Sequence, residues 1–396
     1  MKRQYKVAIV AACPFPYPRG TPIRIFRMSE ALARKGVEVH VYTYNLGEIL
    51  ENEKLVYPFE VHRICRVRTY KKLSPGPSLQ KLLILDSLLF INLLKLLRKH
   101  QIDLIHAHHY EGLIISLMVR NFINLPIIYD AHTMLESELP FYKLGVPEKI
   151  KEITGRFFDY SLTRYADHII TVTEDIKIHL VHNGLIPEKK ISVIANGIEN
   201  THFFANLEKI DKGNEKILIY TGNLAQFQGI DLLLKSFHLL LKQRNDLRLV
   251  IVTSSSFTPY RSLANELGIS SHIEIIKSSF EALPKYLQIA DVALNPRAVC
   301  DGLPQKLLNY MAAGKPIVSF AGSAKGLKHE ETGYIVEGAS FVDFAEGVLQ
   351  VLGNPDLAHR LGANAQELSR REYSWDKLAD KTLDIYHQIL DKRVKP

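Results

Sequence analysis

The stretch VALNPRAVCDGLPQKLLNYMAAGKPIVSF, Val292 to Phe320, sets the fold class. It opens on an apolar run, Val292–Leu294, and closes on another, Ile317–Phe320. Between them stand a polar loop, a short amphipathic segment, and Gly314 ahead of Lys315-Pro316. Asp301-Gly302 predict a turn. Pro304 suits a first helical position, where its missing N–H is no loss. Leu307, Leu308, Met311 and Ala312 predict a buried stripe, with Asn309 one turn beyond Gln305 and Lys306 on their side. Strand, helix and strand in this order make a parallel unit. The helix start leaves the backbone N–H groups of Leu303, Gln305 and Lys306 free. Lys306 and Arg297 add positive charge, so the loop predicts an anion site. A capped surface helix is the plainer alternative.

The same alternation runs outward in both directions. Upstream in the second half, strands are predicted at Ile217–Tyr220, Leu249–Val252 and Ile273–Ile276. The first half predicts strands at Val7–Ala11, Val37–Tyr42, Leu104–Ala107, Ile127–Tyr129, Ile169–Val172 and Ser192–Ile194. Pro22 opens a helix whose stripe is Ile25, Met28 and Leu32, and Gly36 ends it. Repeated β and α units predict parallel sheets covered on both faces. A polar, aperiodic run, Glu199 to Lys216, breaks the pattern. The expected organisation is α/β: a Rossmann-like domain over 1–200, a linker at 201–215, a second such domain over 216–372, and a C-terminal helix over 373–396. That helix carries Trp375, Leu378, Ala379, Thr382, Tyr386 and Ile389 on one stripe, with Ser374 as its cap. It can dock on its own domain or cross back to the first.

Bulk properties agree. A chain of 396 residues exceeds what one hydrophobic core usually serves. The net charge of +8 suits an anionic ligand or an anionic membrane surface. No nucleic-acid motif or basic–aromatic stripe is present. Cys13, Cys65 and Cys300 stand far apart, which predicts no disulfide framework and a reduced, cytosolic setting. Cys300 reads as a small apolar filler. MKRQYKVAIVAA reads as a first strand, since no cleavage site follows its short apolar run. The apolar stretch Leu82–Leu97 is interrupted by Asp86, Asn92 and Lys95 and is too short to span a bilayer. It predicts a buried helix, or one lying on a membrane.

Ligands of open α/β sheets bind beyond the carboxyl ends of the strands. The first such loop, Cys13 to Arg24, is Pro-rich and places Gly20 before a helix, a phosphate-friendly arrangement without the GxGxxG fingerprint. IHAHH puts His106, His108 and His109 at one strand exit, and YDAHT puts His132 at another. Their spacing matches no usual ligand set, and no carboxylate partner is evident, so no metal is expected there. His132 reads as a hydrogen-bonding contact to a polar ligand, and His106, with apolar neighbours, as structural. YTGNLAQFQGIDLLL, Tyr220 to Leu234, is a strand–turn–helix with Gly222 and Gly229 framing the turn.

In order and spacing, these segments resemble the retaining glycosyltransferases of family 4, which have the GT-B fold. The resemblance spans nearly the whole chain. It includes ALARKGVEVHVYT, DLIHAH, YDAHT, ADHIITVTE, VIANGIENTHFF, the Tyr220–Leu234 turn, YMAAGKPIV and the ETGYIV segment. It implies two Rossmann-like domains facing across a cleft and a nucleotide sugar bound mostly by the second. It also implies transfer with retention to a hydroxyl acceptor, without a metal or other cofactor. By the same carry-over, Gly20 and Thr21 approach the diphosphate and His132 contacts the donor sugar. Gly302, Leu303, Pro304 and Gln305 offer the diphosphate a backbone cradle. Asp301 stands at the first acidic position of the family's Glu-x7-Glu motif, near the sugar hydroxyls. Asn309 stands at the second, at the ribose.

The departures are as informative. The family has a basic pair in the Gly222–Gly229 turn to neutralise the leaving diphosphate; here the positions are Asn223 and Gln228. Arg297 and Lys306 are the expected substitutes, since developing negative charge needs preorganised positive charge. The resulting expectation is an enzyme of cell-surface polysaccharide or glycolipid assembly using a UDP-sugar. It would be cytoplasmic, with peripheral contact to an anionic membrane. A non-catalytic nucleotide-sugar-binding subunit and a nucleotide-sugar epimerase are the alternatives.

Overall fold

The computed structural model describes residues 5–16, 20–46, 57–70, 72, 76–142, 145–198, 213–277, 282–300 and 302–394. The chain divides into two compact units. The first comprises Met1–Asn196 with Trp375–Pro396, and the second Gly197–Ser374. Most of the segment expected as a linker lies outside the described residues.

Among the described residues the first unit holds seven strands: β1 (Lys6–Ala11), β2 (Glu38–Thr43), β3 (Glu60–Arg63), β4 (Leu104–His108), β5 (Ile127–Ala131), β6 (His168–Thr171) and β7 (Ile191–Val193). They lie in the order β3-β2-β1-β4-β5-β6-β7, and all pairs are parallel. The chain leaves β1 for one side of the sheet and returns at β4 on the other. The β1/β4 boundary is therefore the switch point. β1 shows why the central strands are legible: Val7, Ile9 and Ala11 enter one core and Ala8 and Val10 the other, so it is apolar throughout.

The second unit repeats the plan with β8 (Lys216–Thr221), β9 (Leu247–Val252), β10 (Ile273–Ile276), β11 (Val292–Asn295), β12 (Ile317–Phe320) and β13 (Tyr334–Val336). Their order is β10-β9-β8-β11-β12-β13, with the switch point between β8 and β11. Two edge strands, β3 and β13, were not expected as strands. Each has a single neighbour and three or four residues, too few for a period-two pattern to stand out.

Helix α1 (Gly20–Arg34) follows β1, α2 (Asp86–His100) and α3 (His109–Arg120) flank β4, α4 (Ile230–Leu241) follows β8, and α5 (Gln305–Ala312) joins β11 to β12. The C-terminal helix, α6 (Trp375–Val394), belongs to the first unit. Its Trp375, Leu378, Ala379, Tyr386 and Ile389 share a core with Ile25, Met28 and Leu32 of α1. Burying each large apolar chain contributes roughly 1.5–3 kcal/mol. Arg34–Asp376 and Lys35–Asp380 ion pairs flank the seam at 3.2 and 2.7 Å.

The Leu82–Leu97 stretch is helical but only half buried. Leu85, Leu89, Leu93 and Leu97 face the core, while Leu82, Leu83 and Ile91 are exposed. The buried-helix expectation therefore holds for one face alone. Among the described residues no helix is long and apolar enough to cross a membrane.

Candidate active site

At the carboxyl ends of β1, β4 and β5, the first unit gathers its histidines around a buried ion pair. Arg24 of α1 donates from Nε to Asp130 Oδ2 at 3.0 Å, and both side chains are almost wholly buried. The rest of the guanidinium is spent on backbone: Nη1 donates to Ala195 O at 2.6 Å and Nη2 to Ile194 O at 2.8 Å. Burial alone would raise the Asp130 pKa, but Arg24, then His132 and the neighbouring histidines, hold it well below the usual carboxylate range. Asp130 oxygens lie 3.6, 3.7 and 3.8 Å from nitrogens of His106, His108 and His132. The expected absence of a carboxylate partner is thus corrected. Asp130 is that partner, and YDAHT hid the fact because the contact runs between strands. His106 is also not set in apolar surroundings. It stacks on His108 at 4.5 Å and hydrogen bonds through Nδ1 to the Tyr386 hydroxyl at 2.7 Å.

In this cluster the Arg24 guanidinium takes Asp130 Oδ2, while Asp130 Oδ1 and the Nε2 atoms of His106 and His108 have no hydrogen-bond partner among the described residues. Two of its rings are held neutral. Burial pushes His132 well below its ordinary pKa despite the pull of Asp130, and burial with the adjacent His106 does the same to His108. His108 Nδ1 and His132 Nε2 are 3.0 Å apart. On the other edge of the ring, His132 Nδ1 is 3.4 Å from Thr21 Oγ1, which is 2.7 Å from His109 Nε2. Gly20 opens α1 at φ +39°, and His109 opens α3 at φ +60°. The latter is a conformation that costs a non-glycine residue about 1–3 kcal/mol and marks functional sites. Sequence spacing gave no hint of the Arg24–Asp130 pair.

In the second unit, the end of β8 is pinned to α5. Tyr310 Oη accepts from Thr221 N at 2.8 Å. Helix α5 begins at Gln305, with Pro304 outside it as N-cap at ψ 124°, one position later than expected. Gln305 donates from Nε2 to Gly197 O at 3.2 Å. Leu303 is buried, and Cys300 is also buried, its Sγ 3.1 Å from Gly302 O. Asn309 was expected on an open helix face, yet it is buried, and no partner reaches its Oδ1 among the described residues. Asp301 lies outside the described residues.

Lys306 reaches from α5 to the β8 turn. Its Nζ donates to Gln228 Oε1 at 2.7 Å and to Tyr220 Oη at 3.1 Å, and lies 4.2 Å from the Tyr220 ring centroid. A Cβ placed on Gly222 would lie 3.6 Å from Lys306 Cε. Arg297 stacks over Phe227 of the same turn at 4.9 Å and donates to Val299 O at 2.8 Å. Gly229 lets this turn approach: it has φ +72°, and a Cβ there would meet Pro296 O at 2.1 Å. Lys306 and Arg297 thus stand at the turn of Asn223 and Gln228, and no carboxylate pairs with either among the described residues. Burial, then the Arg297 charge, pushes the Lys306 ammonium down to about 7. Asn223 is exposed and its carbonyl accepts from Tyr220 Oη at 2.7 Å.

Comparison with known proteins identifies this architecture. Residues 18–202 match the model of glycosyltransferase family 4, and residues 203–368 match that of glycosyl transferases group 1. The chain belongs to the family 4 glycosyltransferases. An uncharacterized glycosyltransferase of Methanocaldococcus jannaschii is 27% identical over 95% of this chain and 97% of its own. D-inositol 3-phosphate glycosyltransferase of Corynebacterium glutamicum is 24% identical over 94% of this chain and 92% of its own. Among solved structures, sucrose-phosphate synthase of Thermosynechococcus elongatus superposes with TM-score 0.79 at 18% identity, covering 98% of this chain and 100% of that one. Anabaena HepE in complex with UDP-glucose gives 0.72 at 13% identity, covering 97% and 99%. These likenesses establish the GT-B fold for this glycosyltransferase.

Proposed function

We propose that this glycosyltransferase moves a sugar from a nucleotide sugar, with UDP as the carrier, to a hydroxyl acceptor with retention and without a metal. The observation that carries the reading is the Lys306 ammonium at the β8 turn, with Arg297 beside it and no carboxylate on either among the described residues. A desolvated cation of this kind has one natural partner, an anion. In glycosyl transfer the bond from the anomeric carbon to the diphosphate oxygen breaks, and the diphosphate departs with the electron pair. The acceptor oxygen forms the new bond and gives up its proton to the departing diphosphate oxygen. Fixed cations at the departing oxygen stabilise that charge as it develops.

The remaining roles follow from the family. Gly302, Leu303 and Gln305 offer backbone N–H donors to the diphosphate, Pro304 having none, with Asp301 at the sugar hydroxyls. The unpartnered Asn309 Oδ1 accepts from a ribose hydroxyl. Gly20, Thr21 and neutral His132 contact the donor from the first unit. HepE was solved with UDP-glucose, which supports UDP as the carrier. The exposed Leu79, Leu82, Leu83 and Ile91, with the net charge of +8, support contact with an anionic membrane during glycolipid or polysaccharide assembly.

A thermal-shift screen of UDP, GDP and their sugars, followed by product analysis with donor alone and with acceptor lipids, tests this. Stabilisation by UDP ligands and transfer insensitive to EDTA are expected. Stabilisation by GDP ligands only, or conversion of the donor to its epimer, overturns the assignment.

A further inference from the structure

A second histidine cluster lies in the first unit, on elements that contribute nothing to the site described above. His40 of β2, Glu60 and His62 of β3 and His100 at the last position of α2 bring one ligand atom each to within 4.8 Å of one another. The parallel register explains the assembly. His40 pairs with Glu60 and Tyr42 with His62, so His40, Glu60 and His62 project from one face of the sheet. The end of α2 comes down on that face, and the His100 ring lies 4.7 Å from His40 and 5.0 Å from His62.

We propose that His40, His62, His100 and Glu60 bind one divalent transition-metal ion, Zn2+ being the best fit, that clamps edge strand β3 and the end of α2 to β2. The donor distances favour it. His40 Nδ1 and His62 Nε2 are 3.0 Å apart, and Glu60 Oε2 is 3.4 Å from each. Donors ~2.0–2.1 Å from a tetrahedral Zn2+ stand roughly 3.3 Å from one another, so three of the four already form one face of a coordination tetrahedron. The fourth, His100 Nε2, is buried and has no partner among the described residues, which is the state of a ligand whose ion is unaccounted for.

The outer contacts fit the same role. Glu38 pairs with Lys6 at 2.9 Å, and its Oε1 accepts from His40 Nε2–H at 3.1 Å. That bond fixes the tautomer and turns the Nδ1 lone pair toward the other donors, the carboxylate–histidine–metal arrangement. Three imidazoles and one carboxylate suit Zn2+ over the oxygen-preferring Mg2+ or Ca2+. The carboxyl end of α2 adds negative potential. Among the described residues no guanidinium pairs with this cluster, in contrast to the Arg24 at Asp130.

The test is titration of the untagged full chain with Zn2+ by calorimetry and with Co2+ by visible absorption. One equivalent, the d–d bands of tetrahedral Co2+ and a raised melting temperature are expected. His62→Ala, His100→Ala and Glu60→Gln, each checked for folding by circular dichroism, should weaken binding. Glu38→Gln should cost roughly 10–100-fold in affinity. Absence of saturable binding overturns the proposal. So does binding unchanged in His62→Ala and His100→Ala, which assigns the ion elsewhere. Glu60 is well exposed, so its Gln variant keeps the test valid if an alanine variant fails to fold.

Discussion

At the carboxyl end of the first sheet, Arg24 and Asp130 neutralise each other, and His108 and His132 stand around them as uncharged rings. At the same end of the second sheet, Lys306 and Arg297 face the β8 turn with no carboxylate on either among the described residues. One topology thus carries a charge-balanced end and a charged one. The balanced end orients hydrogen bonds and is paid for in stability. In the proposed function, the donor's diphosphate supplies the counter-charge at the charged end.

Deleting one partner of the balanced pair gives the largest effect. Arg24→Ala should cost about 3–5 kcal/mol in urea unfolding, since it strands a buried carboxylate. An Arg24→Ala/Asp130→Ala double variant should recover part of that loss. A loss within 1 kcal/mol for the single variant would mean the pair is not buried as described. Lys306→Ala tests the charged end. It should not lower the urea midpoint, because it removes a charge that burial disfavours, and it should lower kcat by about 10²–10³-fold with a UDP-sugar, the scale of one lost transition-state donor. Arg297→Ala, half exposed and stacked on Phe227, should cost less. Wild-type turnover in both would break the comparison.

The same lysine makes a pH signature. With its pKa near 7 in the free protein, the ammonium that binds diphosphate is progressively lost as pH rises above 7. UDP affinity by calorimetry should therefore fall toward tenfold per unit from about pH 7.5 to 9, and Lys306→Ala should flatten the slope. The stability contribution has the opposite sign. Between about 7 and the unfolded value of 10.5, the unfolded chain holds the extra proton, so this group adds stability as pH rises. The smallest expected change is Tyr310→Phe, about 1 kcal/mol. It frees Thr221 N from its bond at 2.8 Å and should loosen the β8 turn without removing charge. Urea unfolding and the KM for donor read the two consequences.

Much of the site was legible because strand ends are legible. Gly20, the histidines at the ends of β4 and β5, and the Arg297–Lys306 loop each follow an apolar run, and the sheet rule aims each at the carboxyl edge of its own sheet. What was not legible lies in contacts between strands. Asp130 stood just past the expected strand Ile127–Tyr129 with no sign of its partners, until β4 brought His106 and His108 and α1 brought Arg24 to it, beside His132 from the exit of its own strand. Asn309 looked open from its helical spacing, whereas α5 turns out to be covered on that side as well.

The sequence by itself determined the class of the protein. Apolar period, glycine placement and helix starts are local, so two parallel α/β units and their ligand-facing loops can be read one residue window at a time. Only the tertiary structure decided the electrostatics. It set which cation meets a carboxylate, which stays bare at the β8 turn, and which three imidazoles converge at the β3 edge. Charge acts through space over a few ångströms, and those neighbours lie tens to hundreds of residues apart in the chain.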